Sequence, residues 1–400
     1  MRRPRSGGHA LAGALLAGLL ISAPSGARAQ GTLTALQTDV DQIALRARPS
    51  MVTIYARREQ VLQRGRGRPP ERRLQTRVGS GVAVGESAIL TTASVVLAAD
   101  RVFIETANGL QVEARIVGVD PVYNVALLQV PDLRLPTLPF ADARAAQIGD
   151  WVILMGTTYR AQPTQSVGNI AYRHREPHFS LLQLTNLAYP GNSGGAALNT
   201  RGELIGIVQG DLGMPQLGGG EAEGERRPGG ASFVLPVEVI RPVYESLRTT
   251  GRVPHGWMGV TARAGVVQSE TEAGLEVPIG ALVESIAPDS PAEQLGLRRG
   301  DLIVAFEGTR VEYPEQLARW VAGTRPGTSV DVVWVHDELQ RTGRVLLSES
   351  REALPPWAVT ESGPGSARRG GTNRMADLER EVQRMHREME LLKSQGSTPR

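Results

Sequence analysis

Short β-prone runs, each closed off by Gly, Pro, Asp or Asn, follow one another through the first two thirds of this chain. They are Met51–Tyr55, Gly81–Val84, Ala88–Thr92, Val102–Thr106, Gln111–Val119, Val125–Val130, Trp151–Met155, Ser166–Ala171, Leu181–Thr185, Leu204–Gln209 and Ser232–Leu235. Many short strands separated by turn residues cannot bury themselves singly, and their common solutions are a barrel or a sandwich. The 46 glycines and 26 prolines supply the turns. At 400 residues the chain is long enough for two or three domains. There is no cysteine, so neither disulfides nor thiolate–metal ligation hold it together, and packing must suffice.

The formal charge of +3 suggests a mildly basic protein. Four of the arginines, Arg2, Arg3, Arg5 and Arg28, lie in the first 29 residues, however, and the remainder balances the acidic residues to within one charge. The high isoelectric point therefore carries no argument for nucleic-acid binding. The same N-terminal stretch has the layout of a secretory signal. A positive start leads into an apolar run from Ala10 to Ile21, and Ala27-Arg28-Ala29 places small residues ahead of a cut before Gln30. The apolar run is too short to span a bilayer, which takes roughly 20 residues. Residues 1–29 are thus expected to be a signal peptide and the mature chain to be periplasmic or otherwise extracytoplasmic.

Val40, Ile43 and Ala44 predict a short helix between Asp39 and Ser50, stopped at Pro49. Arg57 to Arg77 holds eight arginines against two glutamates, which reads as a flexible solvated arm or as a contact for an acidic surface. A second loop, Gly210 to Gly230, is rich in Gly and Glu. A helix from Pro236 to about Arg248 marks a domain end. From Gly256 to about Leu347 strands alternate with two helical stretches, Pro291–Leu295 and Pro314–Ala322. Residues 349–371 read as a Pro/Gly/Ser linker. In the tail, residues 372–395, Met375, Leu378, Val382, Met385, Met389 and Leu392 alternate spacings of three and four. That is an a/d seam, suited to self-association or to docking on the chain itself.

The string Pro190-Gly191-Asn192-Ser193-Gly194-Gly195 carries the chemistry. A serine nucleophile needs a tight glycine-rich turn that exposes its Oγ and lets two backbone N–H groups converge on one oxyanion. Gly191 and Ser193 are the candidate oxyanion-hole donors. The order of the surrounding strings extends this: Arg48-Pro49-Ser50-Met51-Val52, Gly79-Ser80-Gly81-Val82, Ile89-Leu90-Thr91 with Val95-Val96, and Asp120-Pro121 before Val125-Ala126-Leu127-Leu128. Gly149-Asp150-Trp151-Val152, Gly156, Gly168-Asn169-Ile170 and Phe233-Val234-Leu235-Pro236 complete it. With these strings the chain resembles the HtrA (Deg) family of exported trypsin-like proteases. The resemblance implies a mainly β fold: a chymotrypsin-type double β-barrel over residues 30–250, then an α+β PDZ domain over residues 256–348 and a C-terminal helix. It also implies trimers.

Carrying the family's triad over residue by residue, the serine position is Ser193, but the histidine position holds Ser94 and the aspartate position holds Asn124. A serine hydroxyl is a poor nucleophile without a base to take its proton. Ser94 is no base, and Asn124 cannot stabilise an imidazolium. Losing the histidine of such a unit costs about 10⁶ in turnover, leaving on the order of 10³–10⁴ over water from the oxyanion hole and binding. Beyond the signal segment the histidines are His174, His178, His255, His336 and His386, of which His178 is the candidate for rescue. Leu184-Thr185-Asn186 also departs from the family's Thr-Asp-Ala before the serine.

Gly256 to Leu347 resembles the PDZ domain that comes after such proteases. Trp257-Met258-Gly259-Val260 matches the carboxylate loop. Gly280-Ala281-Leu282-Val283, Ser290-Pro291-Ala292, Leu295-Gly296-Leu297, Gly300-Asp301-Leu302-Ile303, Phe306-Glu307-Gly308 and Pro326-Gly327 match the later strands, helix and turns of that domain. The resemblance implies capture of exposed or C-terminal peptide segments by strand addition, with Trp257, Met258, Gly259 and Val260 at the site. No metal or other cofactor, no nucleic-acid partner and no stable membrane span is implied. The expectation is an exported pseudoprotease that acts as scaffold, adaptor or chaperone. The rival readings are an active serine endopeptidase with a rearranged site and an envelope assembly protein oligomerised by its tail.

Overall fold

The computed structural model describes residues 26–62, 71–142, 146–158, 162–176, 179–210, 232–268, 276–337 and 339–350. It opens with helix α1 (Gly26–Ala47) and a 3₁₀ turn at Arg48–Ser50. Strands β1 (Met51–Leu62), β2 (Glu71–Gly85) and β3 (Ala88–Thr91) lead to the single-turn helix α2 (Ala93–Val96). Then come β4 (Arg101–Thr106), β5 (Gln111–Asp120) and β6 (Val125–Gln129), and the six strands close in the order β1-β2-β3-β6-β5-β4. A second closed barrel is built from β7 (Trp151–Thr157), β8 (Pro163–Glu176), β9 (Phe179–Leu184), β10 (Ala196–Leu198), β11 (Leu204–Gly210) and β12 (Ser232–Pro236). Closure removes unpaired strand edges.

Helix α3 (Val237–Thr250) seals the seam between the barrels. Its buried face, Ile240, Val243, Tyr244 and Leu247, has the three-and-four spacing of one helical stripe. That face packs on Leu90, Val125 and Leu127 of the first barrel and Ile207 and Leu235 of the second. Gly251, left-handed at φ +73°, ends the helix. The chain continues through β13 (Gly256–Trp257), β14 (Val260–Gln268), β15 (Glu276–Ile286), α4 (Pro291–Leu295), β16 (Leu302–Phe306), β17 (Thr309–Arg310), α5 (Pro314–Gly323), β18 (Ser329–His336), β19 (Leu339–Leu346) and β20 (Ser348–Glu349). The main sheet runs β14-β15-β16-β18-β19, with β14 at its edge, and β13 pairs with β20. Its core gathers Met258, Phe306, Trp320 and Val332 under α5.

Two expectations need correction. The first helix begins thirteen residues ahead of Asp39. Only its second half has a buried apolar face: Val40, Ile43, Ala44 and Ala47 cluster with Ile153 and Leu198 of the second barrel and with Leu138 on the connection between the barrels. Leu33 and Leu36 stay exposed, so periodicity could not register that part, which propagates from the anchored half. The arginine-rich arm is largely a paired hairpin: β1 and β2 stay in register out to Leu62↔Glu71. Arg64, Arg66 and Arg68 lie outside the described residues, and the other arginines are side chains of the two strands. Arg57 lies 4.5 Å over the Phe103 ring, Arg72 pairs with Glu59, and Arg77 reaches two carbonyls of the α2 turn. The second expected loop, the linker beyond Ser350 and the heptad tail lie outside the described residues, as does most of the signal segment.

Candidate functional site

Ser193 sits on a turn wedged between the barrels. Its carbonyl accepts the Ser80 N–H at 2.8 Å, tying it to β2. The Ser80 hydroxyl donates to the Gly191 carbonyl at 2.7 Å and accepts the Thr157 N–H from β7 at 2.8 Å. Two glycines are required by this closeness. A Cβ on Gly194, which is at φ +85°, would stand 2.1 Å from the Ser80 carbonyl oxygen, and one on Gly79 would stand 2.5 Å from Val95. Asn192, fully buried, locks the turn from within. Its Oδ1 accepts the Tyr189 N–H at 2.7 Å, and its Nδ2 donates to the Thr157 carbonyl at 3.0 Å and to Thr164 Oγ1 at 2.6 Å. Among the described residues no intramolecular acceptor takes the N–H of Gly191, at φ +101°, or of Ser193. A fixed middle peptide with two unspent donors on either side can hold an oxyanion or a carbonyl oxygen.

Ser94 and Asn124, the residues expected at the other two triad positions, are brought together. Asn124, buried and left-handed at φ +52°, accepts the Ser94 backbone N–H on Oδ1 at 2.8 Å. Its Nδ2 donates to Gln209 Oε1 at 3.0 Å. Ser94 Oγ lies 3.2 Å from Thr92 Oγ1. Gly79 touches both sides of the cleft, since its missing Cβ would meet Val95 beside Ser94 and would lie 3.2 Å from the Ser193 carbonyl. Among the described residues, the side chains gathered at Ser94, Asn124 and Ser193 are hydroxyls and amides, none of which accepts a proton near neutral pH.

The described histidines are engaged elsewhere. His174 on β8 bonds Gln183 Oε1 at 3.1 Å and meets Tyr172 edge-on. His255 is bonded to Asp120, and His336 to Asp301 at 2.6 Å. His178 and His386 lie outside the described residues. Before the serine, Asn186 is buried and donates to the carbonyls of Ser166 and Val152 at 2.9 and 3.3 Å. It thereby cross-links β7, β8 and the strand leading into the serine loop.

In the second unit the loop expected to take a carboxylate is shaped by Gly259 at φ +87°, where a Cβ would stand 2.3 Å from Ser290 Cβ. The carbonyls of Met258 and Gly259 accept the N–H groups of Ala292 and Ala287, both at 2.9 Å. Met258 is buried in the core, so only its backbone can face a ligand, while Trp257 is half-buried and Val260 opens the edge strand. Asn192 is legible in the sequence as part of the serine turn, but not as its internal lock, and Gln209 carries no signal there. Ser80 belongs to the Gly79-Ser80-Gly81-Val82 string, and only the fold shows its hydroxyl bridging two barrels.

Two six-stranded barrels meeting at a glycine-framed serine, joined to a sheet with an open edge and a helix above it, define a trypsin-like fold with a PDZ domain. The family model for the trypsin-like peptidase domain matches residues 79–207, and that for the PDZ domain residues 282–335. A probable periplasmic serine endoprotease DegP-like from Rhizobium meliloti is 32% identical over 329 residues, covering 78% of this chain and 62% of the relative. One from Chlamydia trachomatis is 33% identical over 262 residues, covering 63% and 50%. A solved serine endoprotease from Yersinia pestis aligns at TM-score 0.55 and 28% identity, over 78% of this chain and 98% of that one. The HtrA-type protease AlgW with decapeptide aligns at TM-score 0.57 over 78% and 99%, a likeness of fold at 22% identity. In domain order, sequence and fold this chain is similar to proteins of the HtrA/Deg family. It spans about three fifths of the length of the first of these curated relatives.

Proposed function

We propose that this chain is an exported, periplasmic HtrA-like pseudoprotease that binds exposed or C-terminal peptide segments through its PDZ edge strand, as a scaffold, adaptor or chaperone. The observation that carries the reading is the neutral network at the triad positions. Where a base would stand there is Ser94, whose N–H is bonded to the Asn124 amide oxygen. Without a proton acceptor, Ser193 Oγ is not activated for attack on an amide. The intact turn, with unspent Gly191 and Ser193 N–H groups, still suits holding a peptide carbonyl. Export is supported by the N-terminal segment and by relatives named as periplasmic. Assembly as a homo-oligomer, in trimers, is in line with the family expectation.

The relatives are named as endoproteases, so the test is a cleavage assay on an unfolded protein. The expected result is no cleavage by the wild type or by Ser193→Ala, and measurable cleavage by the Ser94→His, Asn124→Asp double variant. Binding of a peptide with a free carboxylate is expected to survive in all three and to vanish in Gly259→Pro, because proline cannot adopt the positive φ this loop needs. Wild-type cleavage that disappears on Ser193→Ala would overturn the reading and favour the active endopeptidase.

A further inference from the structure

His255, buried at 6% exposure, stands on the connection between α3 and β13, where the barrels meet the PDZ unit. Its Nε2 lies 2.9 Å from Asp120 Oδ1 at the end of β5, and its Nδ1 lies 2.8 Å from the Ala322 carbonyl in the last turn of α5. Both partners are acceptors. A neutral imidazole has one N–H and satisfies one of them; only the imidazolium donates to both. Asp120 Oδ1 also accepts the Val122 N–H at 2.9 Å, while its Oδ2 is buried without a hydrogen-bond partner. From the same turn Tyr123 donates its hydroxyl to the Gly323 carbonyl at 3.3 Å, its ring 5.8 Å from the imidazole. The turn ends in Asn124, the residue that accepts from Ser94.

We propose that His255 is a proton-operated latch: as an imidazolium it ties α5 of the PDZ domain to the β5–β6 turn that presents Asn124, and loss of its proton frees that contact. The turn then links two sites that lie on different units. The groove-side helix is held at its C-terminal carbonyls by the very segment that fixes the third triad position. A shift of α5 would be felt at Asn124, and the reverse holds equally.

The charges facing the imidazole agree with this. Asp120 approaches from β5 and the Tyr123 hydroxyl from the turn, with Arg325, just beyond α5, acting on that hydroxyl. On the β13–β20 side the exposed Arg252–Glu349 pair flanks the His255 backbone, whose carbonyl accepts the Ser350 N–H. Burial alone would lower the histidine, but the hydrogen bond and charge of Asp120 and the Ala322 carbonyl outweigh it and hold it above its ordinary value. A raised value means that the closed form binds the proton more tightly. The latch therefore contributes fully below the ordinary histidine range and is lost as pH rises through the closed-state value. Once the proton leaves, the single remaining ring N–H serves either Asp120 or the Ala322 carbonyl, and the other acceptor is left buried and facing a ring lone pair, which penalises the closed form further.

The test is backbone hydrogen exchange of the full chain at pH 6 and pH 9, corrected for the intrinsic chemical rate, with small-angle scattering of the same samples. Segments 120–124 and 316–323 are expected to exchange on the order of tenfold or more faster at pH 9, with the barrel and PDZ sheets unchanged and the particle larger. His255→Gln should be fast at both pH values. Asp120→Asn, which keeps the shape of the turn, should show no pH step and serves as the readout where the glutamine variant does not fold. Equal protection of the wild type at both pH values, or the same step in either variant, would refute the latch. No arm depends on proteolysis, so the outcome is separate from the pseudoprotease reading.

Discussion

Replacing Ser80 by alanine removes one oxygen atom from the boundary between the two barrels, and its consequences can be counted. The residue is fully buried, and alanine fits the same space, so packing changes little. Two groups lose their partner, the Thr157 N–H, buried on β7, and the Gly191 carbonyl, half-exposed on the serine turn, while the Thr157 hydroxyl, 3.2 Å from Ser80 Oγ, keeps the Gly79 carbonyl. An orphaned buried polar group costs about 1–3 kcal/mol, toward the lower end where water can reach it. The sum is about 2–4 kcal/mol. For units of 150–250 residues each kcal/mol moves the melting temperature by roughly 2–4 °C, giving a drop of roughly 4–16 °C in the barrel transition. Differential scanning calorimetry measures this. The PDZ transition, whose core contains no residue near Ser80, serves as internal reference. A barrel transition lowered by less than about 2 °C would show that the turn relaxes onto other donors and that Ser80 does not hold it.

Other substitutions separate the remaining interactions. Asn192→Ala breaks three buried hydrogen bonds and leaves a void, so it should lower the barrel transition at least as much as Ser80→Ala, again by calorimetry. Gly259→Ala forces a Cβ onto Ser290 at a positive φ, and should lower the PDZ transition and weaken carboxylate-terminated peptides, measured by fluorescence polarisation. Arg101→Ala breaks an exposed pair with Glu113 and should leave both transitions where they are. Burial, reinforced by the Asp120 charge and partly offset by Arg325, pushes the Tyr123 hydroxyl up to about 12. Ultraviolet titration should find one tyrosine protonated well beyond the ordinary range. Its contribution to stability is present below about pH 10 and lost as pH rises through 12.

The Arg57–Arg77 segment shows how composition misleads. Eight arginines suggest a solvated arm, yet the cross-strand pairing from Met51↔Val82 to Leu62↔Glu71 is carried by backbone groups, which composition does not report. Helix α1 is a similar case, since its first half depends on the anchoring of its second. The strands of the barrels were readable because turn residues punctuate them and alternate burial selects their inward faces, as in β4.

Sequence alone determined the identity of the groups in the cleft. Ser94 and Asn124 stand where the family resemblance puts base and acid, and no arrangement of atoms can turn a hydroxyl and an amide into proton acceptors at neutral pH. It also determined that glycine, and so close backbone approach, frames Ser193. Tertiary structure decided what those groups touch. The bridge of Ser80 across the barrels, the Asn124–Gln209 bond and the contact of His255 with Asp120 join residues 77 to 135 positions apart. Such pairings are set by how strands close and domains dock, which depends on the packing of the whole chain and leaves no local mark on it.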